Sequence, residues 1–417
     1  MVRWVIVVLL VLGAAVAVMP AAAGETTGEF AAIDNYALAT PAYATRSIAS
    51  LSAYLVEPAR NDREKARAIF RWITANIGYD RRGEAASCDP DKALRSRRVV
   101  CYGYAVLFKA LAEAAGMKAE IILGHSPKFK PGTPEDESGW VNHAWNAVQV
   151  AGRWQLVDCC WGAGYLDARS RFVQQFCSHY CFTDPATFVY DHFPAQPRWQ
   201  LLDRPLSRER YLQLAQLRPA FFECGLRLIS HTSGVIEADN QLAVTIDAPD
   251  ETMLIAAVYR DGDEKKEGCA LTQRSSSGYV IHARFPAPGA YVLRVFARRK
   301  DAPGLEYAWA LDYTVRARSG AGDGDGFPKV YGAFLARNCR LDRALSRTLP
   351  AGKTAEFALT VPEAEDVVVS TGGSLNHLRG ESQRFAGQVP ISRGPVVVYA
   401  RFPGRSMYDG LLQYVGQ

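Results

Sequence analysis

Val99-Val100-Cys101-Tyr102-Gly103-Tyr104-Ala105 is the stretch on which the fold turns. Beyond Cys101, the residues Ala105, Leu107, Phe108, Leu111, Ala112 and Ala115 form a broad apolar face at helical spacing. Gly116 stands where a left-handed C-cap belongs, so the spacing predicts a helix opening at Cys101 and closing at Gly116. A cysteine in the first turn of a helix lies among unpaired backbone N–H groups and at the positive end of the helix dipole. Both favour a thiolate. Gly103 leaves room for a carbonyl to approach, and N–H groups around Cys101 can hold an oxyanion. By position alone, a buried structural cysteine or half of a disulfide fits equally well.

On the C-terminal side the pattern changes to strands: Lys118 to Leu123, then, after a polar Pro/Gly loop from Ser126 to Gly139, Asn142–Val150 and Arg153–Cys159. If Ala151-Gly152 is a two-residue turn, Val150 faces Arg153 and Trp145 faces Asp158. His143 then shares a sheet face with Asp158, one diagonal step away. Asp158 would orient the imidazole while its other nitrogen faces the thiol. Ala-Gly is a poor type I′ sequence, however, and a three-residue turn would put the two on opposite faces. Singly, His143 reads as a core histidine and Asp158 as a loop-capping acid; the order Cys…His…Asp favours catalysis. Trp145 and Trp161 flank these strands and are cleft candidates, with core packing as the bland alternative. Tyr102 and Gly103 are cleft candidates beside the thiol.

On the N-terminal side, Asn61 or Asp62 caps a helix from about Arg63 to Ile77, with Ala66, Ile69, Phe70 and Ile73 on one face. Residues 24–60 read as a lead-in with some helix. Helix first and antiparallel sheet second is an α+β layout.

Beyond about Pro219 the chain reads as β. Leu242–Ile246, Met253–Tyr259, Tyr279–Phe285, Ala290–Ala297 and Tyr307–Val315 are short runs between turn residues, the spacing of an immunoglobulin-like sandwich. A Gly/Asp linker, residues 319–326, follows. Asp323 and Asp325 lack the ligand ladder of a calcium loop. The remainder echoes the first β region: Glu356-Phe-Ala-Leu-Thr-Val-Pro362 resembles Leu242-Ala-Val-Thr-Ile-Asp-Ala-Pro249, and Pro395-Val-Val-Val-Tyr-Ala-Arg401 resembles Ala290-Tyr-Val-Leu-Arg-Val-Phe296. The expected division is a leader (1–23), a catalytic domain with its lead-in (24–219), an immunoglobulin-like domain (220–318), the linker (319–326) and a second β-sandwich (327–417).

Length and composition agree with several folded domains: 417 residues, 48% apolar and 22% charged. A net charge of +5 with no basic stripe interleaved with aromatics argues against nucleic acid. Arg3, the apolar run Val5 to Val18 and the small residues to Ala23 describe a secretory leader cut after Ala23, too short to span a membrane. The mature chain is thus expected outside the cytoplasm, secreted or in the periplasm or envelope, with no membrane span. There most of the nine cysteines would pair, with one left over. Cys159, Cys160, Cys177, His179 and Cys181 lack the two clean ligand pairs of a zinc site, so no metal and no cofactor is expected.

These motifs together resemble the transglutaminase-like superfamily of papain-like thiol enzymes: Cys101-Tyr-Gly-Tyr-Ala opening a helix, Asn142-His-Ala-Trp-Asn146 on a strand, and Val157-Asp-Cys-Cys-Trp-Gly-Ala-Gly164 after a Gly-Arg-Trp turn. Ala68-Ile-Phe-Arg-Trp-Ile73, Cys181-Phe-Thr-Asp-Pro-Ala-Thr-Phe188, His192-Phe-Pro194 and Trp199-Gln-Leu-Leu202 are similar to the kyphoscoliosis-peptidase group within it. The chain departs from that group in carrying Cys159-Cys160 where Ser or Thr is more usual. The resemblance implies a papain/transglutaminase-like core followed by one or two immunoglobulin-like domains. It implies Cys101 as nucleophile, His143 as base and Asp158 as orienting acid, with His192 structural. The expected activity is cysteine-dependent acyl transfer, first as hydrolysis of a protein or peptide, with cross-linking as an alternative and a catalytically idle envelope scaffold as another. The β domains would bind a protein or wall partner.

Overall fold

The computed structural model describes residues 28–80, 89–127, 140–167, 169–260, 264–322 and 326–417. The expected leader, Cys88, and Asp323 and Asp325 of the linker lie outside the described residues. Among those described, no helix is long and apolar enough to cross a membrane.

Among the described residues, five α-helices precede the five-stranded sheet: α1 (Ala31–Leu38), α2 (Ile48–Val56), α3 (Asp62–Asn76), α4 (Pro90–Ser96) and α5 (Cys101–Ala114). Asn61 caps α3, its Oδ1 accepting from the Glu64 N–H at 2.9 Å. Gly116 ends the turn after α5 at φ +78°, as its position predicts. The sheet holds β1 (Ala119–His125), β2 (His143–Val150), β3 (Arg153–Val157), β4 (Cys181–Thr183) and β5 (Phe193–Pro194). It runs β4-β3-β2-β1-β5, antiparallel throughout.

The β2–β3 turn has two residues. Val150 pairs with Arg153, and Ala151 (φ 48°) and Gly152 (φ 78°) both take left-handed conformations. Ala151 accepts that unfavourable geometry because a slip of register by one residue would exchange the two faces of β2, both of them buried from His143 to Val148. Strand β3 stops two residues sooner than expected. The Asp158 carboxylate accepts from the Cys160 and Trp161 N–H groups and caps a helical turn, α6 (Cys159–Ala163), where strand was expected.

Helix α5 lies on β2, and the buried Asn146 side chain ties them by donating to the Ala105 carbonyl at 3.0 Å. The core around this contact contains Phe70, Trp72, Tyr104, Phe108, Leu111 and Trp145. The lead-in is fastened by a buried ion pair: Arg67 on α3 donates through Nε and Nη2 to Asp34 on α1, both at 2.7 Å. Arg67→Ala removes both of these donors from a buried carboxylate. It should cost about 3–5 kcal/mol, whereas Arg67→Met with Asp34→Leu should restore much of the loss; urea unfolding of the two variants checks this.

Two β-sandwiches follow, each with its own core. In the first, one sheet runs Gln216–Leu217, Ala308–Ala317, Gly289–Arg299, Thr252–Arg260, Glu264–Lys266. The other runs Arg227–Leu228, Gln241–Asp247, Gly278–Arg284, Ala270–Arg274. The second sandwich repeats this order strand for strand: Lys329–Val330, Asp409–Gly416, Gly394–Arg401, Asp366–Thr371, Ser374–His377, then Arg340–Arg343, Thr354–Thr360, Arg384–Pro390, Arg379–Glu381. Both also add a parallel strand beside the same neighbour, Val235–Ala238 in one and Thr348–Leu349 in the other. The sequence echo is therefore a structural repeat. The first sandwich opens by Gln216, whose strand already pairs with Ala308–Ala317. The sandwiches touch each other: Leu341 N–H donates to Gln273 Oε1 at 2.6 Å, and Leu271 of the first lies in the core of the second. The first also meets the N-terminal α+β core, with the Phe222 ring 5.8 Å from those of His179 and Tyr190.

Candidate active site

Cys101 occupies the first position of α5 and is half-buried. The capping position is Val100, which has no side-chain oxygen to accept from the first-turn N–H groups. Tyr102 flanks the thiol and is partly exposed, while Gly103 is buried and its N–H closes the turn onto the Val100 carbonyl at 2.9 Å.

Across from α5, His143 and Asp158 meet as the two-residue turn requires. His143 Nε2 donates to Asp158 Oδ2 at 2.7 Å, and both residues are buried. The Cys101 sulfur lies close enough to the same imidazole to favour its charged form. Burial works against a charged His143, but the Asp158 carboxylate first, and then the nearby Cys101 sulfur, outweigh it and raise the imidazole to about 10. Burial likewise works against a charged Asp158, and its histidine partners overcome this and hold it below the usual carboxylate range. The triad residues thus converge in sequence order: sulfur at a helix start, imidazole beside it, carboxylate behind.

A fourth residue joins them. His192 Nε2 donates to the same oxygen, Asp158 Oδ2, at 2.9 Å, and His192 Nδ1 lies 2.6 Å from Asp191 Oδ1. Tyr180 Oη donates to Asp191 Oδ2 at 3.0 Å. Sequence reasoning placed His192 in a structural role, since nothing local joins residue 192 to residue 158. The Asp191-His192 pair in an otherwise aromatic segment was the available signal.

The tryptophans divide. Trp161 is half-buried, its ring 5.4 Å from that of His143. Trp145 does share the face of His143, but it is only 1% exposed and lies in the core, so it does not line an open cleft. Its ring fills the space over Gly124, where a Cβ would come within 2.4 Å of it.

The expectation that most cysteines pair is not met among the described residues: Cys101, Cys159, Cys160, Cys177, Cys181, Cys224, Cys269 and Cys339 are all free thiols. Three of them sit apart from the other five, Cys224 and Cys269 in the first sandwich's core and Cys339 in the second's. Cys159 and Cys160 are buried beside Asp158, and burial first, then that carboxylate, pushes both well above the ordinary thiol range. The cysteines weighed as zinc ligands do not converge. Among the described residues the one group with metal-like spacing is His143, Asp158 and His192, whose ligand atoms are bonded to one another.

Comparison with known proteins accords with this geometry. Residues 49–159 match the transglutaminase-like superfamily, and residues 208–328 match the KY-like, immunoglobulin-like domain. Kyphoscoliosis peptidase of Mus musculus is 32% identical over 269 residues, covering 63% of this chain and 39% of the relative. The Homo sapiens protein of that name is 31% identical over 295 residues, covering 69% and 43%. Hillarin of Drosophila melanogaster is 32% identical over 303 residues, covering 64% and 36%. The chain spans less than half the length of these relatives. Residues 49–159 thus form a domain of the transglutaminase-like superfamily, residues 208–328 form a KY-like, immunoglobulin-like domain, and the chain is similar to the kyphoscoliosis peptidases over about two thirds of its own length.

Proposed function

We propose that the protein is a cysteine-dependent acyl-transfer enzyme that hydrolyses an amide bond of a protein or peptide. The observation that carries this is the buried His143 imidazole, bonded to Asp158 at 2.7 Å and near enough to the Cys101 sulfur at the start of α5 to be favoured in its charged form by it. In the acylation step the Cys101 thiolate attacks the substrate carbonyl carbon and forms a C–S bond. The first-turn N–H groups of α5 receive the oxyanion. The C–N bond breaks as His143 gives its proton to the departing amine, leaving an acyl thioester. Water then gives a proton to His143 and attacks the thioester, releasing the acid. The proton left on His143 restores the starting ion pair. An amine in place of water would give a cross-link; the peptidase name of the relatives favours water.

Labelling with iodoacetamide tests the reading. One thiol should react much faster than the others between about pH 6 and pH 8, and peptide mapping should place it at Cys101, with Cys101→Ala losing the fast phase. Uniformly slow labelling would refute the assignment. Release of new amino termini from a protein substrate, against incorporation of a fluorescent primary amine, separates hydrolysis from cross-linking. Export is proposed from the leader sequence alone; a mature chain beginning at Gly24 on intact mass is the expected result.

A further inference from the structure

One oxygen, Asp158 Oδ2, accepts from two imidazoles, His143 at 2.7 Å and His192 at 2.9 Å. The other oxygen is occupied by the Cys160 and Trp161 N–H groups at 2.8 and 3.0 Å, so the carboxylate is anchored without His192. His192 is therefore not needed to hold Asp158 in place, and its effect falls on the charge that Asp158 presents to His143. We propose that His192 is a positioning residue that acts through Asp158: by taking a share of Oδ2, it weakens the carboxylate's hold on the His143 proton and keeps that proton transferable. This rests on the acyl-transfer reading above and deepens it.

The surroundings are built for such a role. His192 faces a carboxylate oxygen from each nitrogen, and both are satisfied only if the ring donates on both sides or a carboxyl carries a proton. Asp191, steadied by Tyr180 Oη, backs the ring and strengthens its donation to Asp158. The ring cannot turn, because Phe188 stacks on it at 3.9 Å and Trp161 and Trp145 close in at 4.7 and 5.0 Å. The titratable groups facing the two histidines are Cys101, Cys160, His179, Tyr180 and Asp191, with Arg218 of the first sandwich behind Asp191. Acyl transfer needs a histidine that accepts and surrenders a proton in each cycle, and an undivided buried carboxylate would hold that proton too tightly.

The test is His192→Phe, which keeps the flat ring in its aromatic slot and removes both donors. Carbon-13 histidine NMR reads the His143 titration in a Cys101→Ala background, where the thiol's contribution is gone. The midpoint should move upward by about one pH unit when His192 is replaced. In the chain with Cys101 intact, iodoacetamide alkylation at pH 7 should stay within about threefold of wild type, because alkylation needs the thiolate but no proton delivery. A midpoint that stays or falls, or a more than tenfold loss of alkylation, overturns the proposal and leaves His192 as a structural support. If His192→Phe does not fold, Asp191→Asn serves instead. It removes the charge behind the ring and should move the midpoint in the same direction by less, and no upward movement there also overturns the proposal. The titration is read without the nucleophile, so a wild type lacking a fast thiol would refute the acyl-transfer reading while leaving this result separately legible.

Discussion

His143→Ala should lower the alkylation rate of Cys101 by at least about tenfold at pH 6 and leave it nearly unchanged at pH 9. An ordinary thiol titrates near 8.5 and is almost wholly protonated at pH 6, while one paired with a protonated imidazole is held as thiolate. The intrinsic nucleophilicity of a stabilised thiolate is lower, which trims a several-hundred-fold difference in thiolate fraction to the smaller figure. The Asp158 carboxylate favours the charged imidazole, so His143 is raised to about 10 and carries its proton across the neutral range. Amide hydrolysis should fall further, by about 10²–10⁴-fold, because the leaving amine also loses its proton donor. Equal alkylation of wild type and variant across pH would show that the imidazole does not govern the sulfur.

Asp158→Ala should destabilise the catalytic core by about 3–5 kcal/mol, since it strands two buried imidazoles and two capped N–H groups together. Asp158→Asn should cost less, because an amide oxygen can still cap α6. The pH dependence has a definite sign. His143 is raised in the folded state, so its contribution is complete below its ordinary value of about 6.5 and is lost as pH climbs through about 10. Asp158 is depressed, so its contribution is complete above about 3.9 and is lost as pH falls through its lowered folded value. The wild-type advantage over Asp158→Asn should therefore be greatest near pH 4–6.5 and shrink toward pH 10. Urea unfolding followed by tryptophan fluorescence reads this, since Trp72, Trp145, Trp154, Trp161 and Trp199 lie in or against the first core. An advantage that grows with alkalinity would contradict the ion pair.

Much of the site was legible because its signals are local. The apolar period after Cys101 places a helix there, and a two-residue turn makes His143 and Asp158 share a face by arithmetic alone. Ala151-Gly152 was the weak point, a poor turn sequence whose left-handed geometry is imposed by the sheet on either side. The second sandwich was visible as a faint echo in two strands, while the matching order of all its strands required coordinates. Cysteine count was a poor guide, because a count carries no positions: the eight described thiols are free and are distributed over three separate cores.

By itself the sequence determined the helix start under Cys101 and the sandwich character of the C-terminal half, consequences of periods of two and 3.6 residues, and it made His143 face Asp158 only on condition of a two-residue turn at Ala151-Gly152, which the structure supplies. Tertiary structure alone decided that Trp145 goes inside, that the strand ending at Val157 gives way to a capped turn at Asp158, and that His192 returns from 34 residues away to share a carboxylate oxygen. The difference is physical: backbone geometry sets which face a residue shows, whereas packing sets what that face meets.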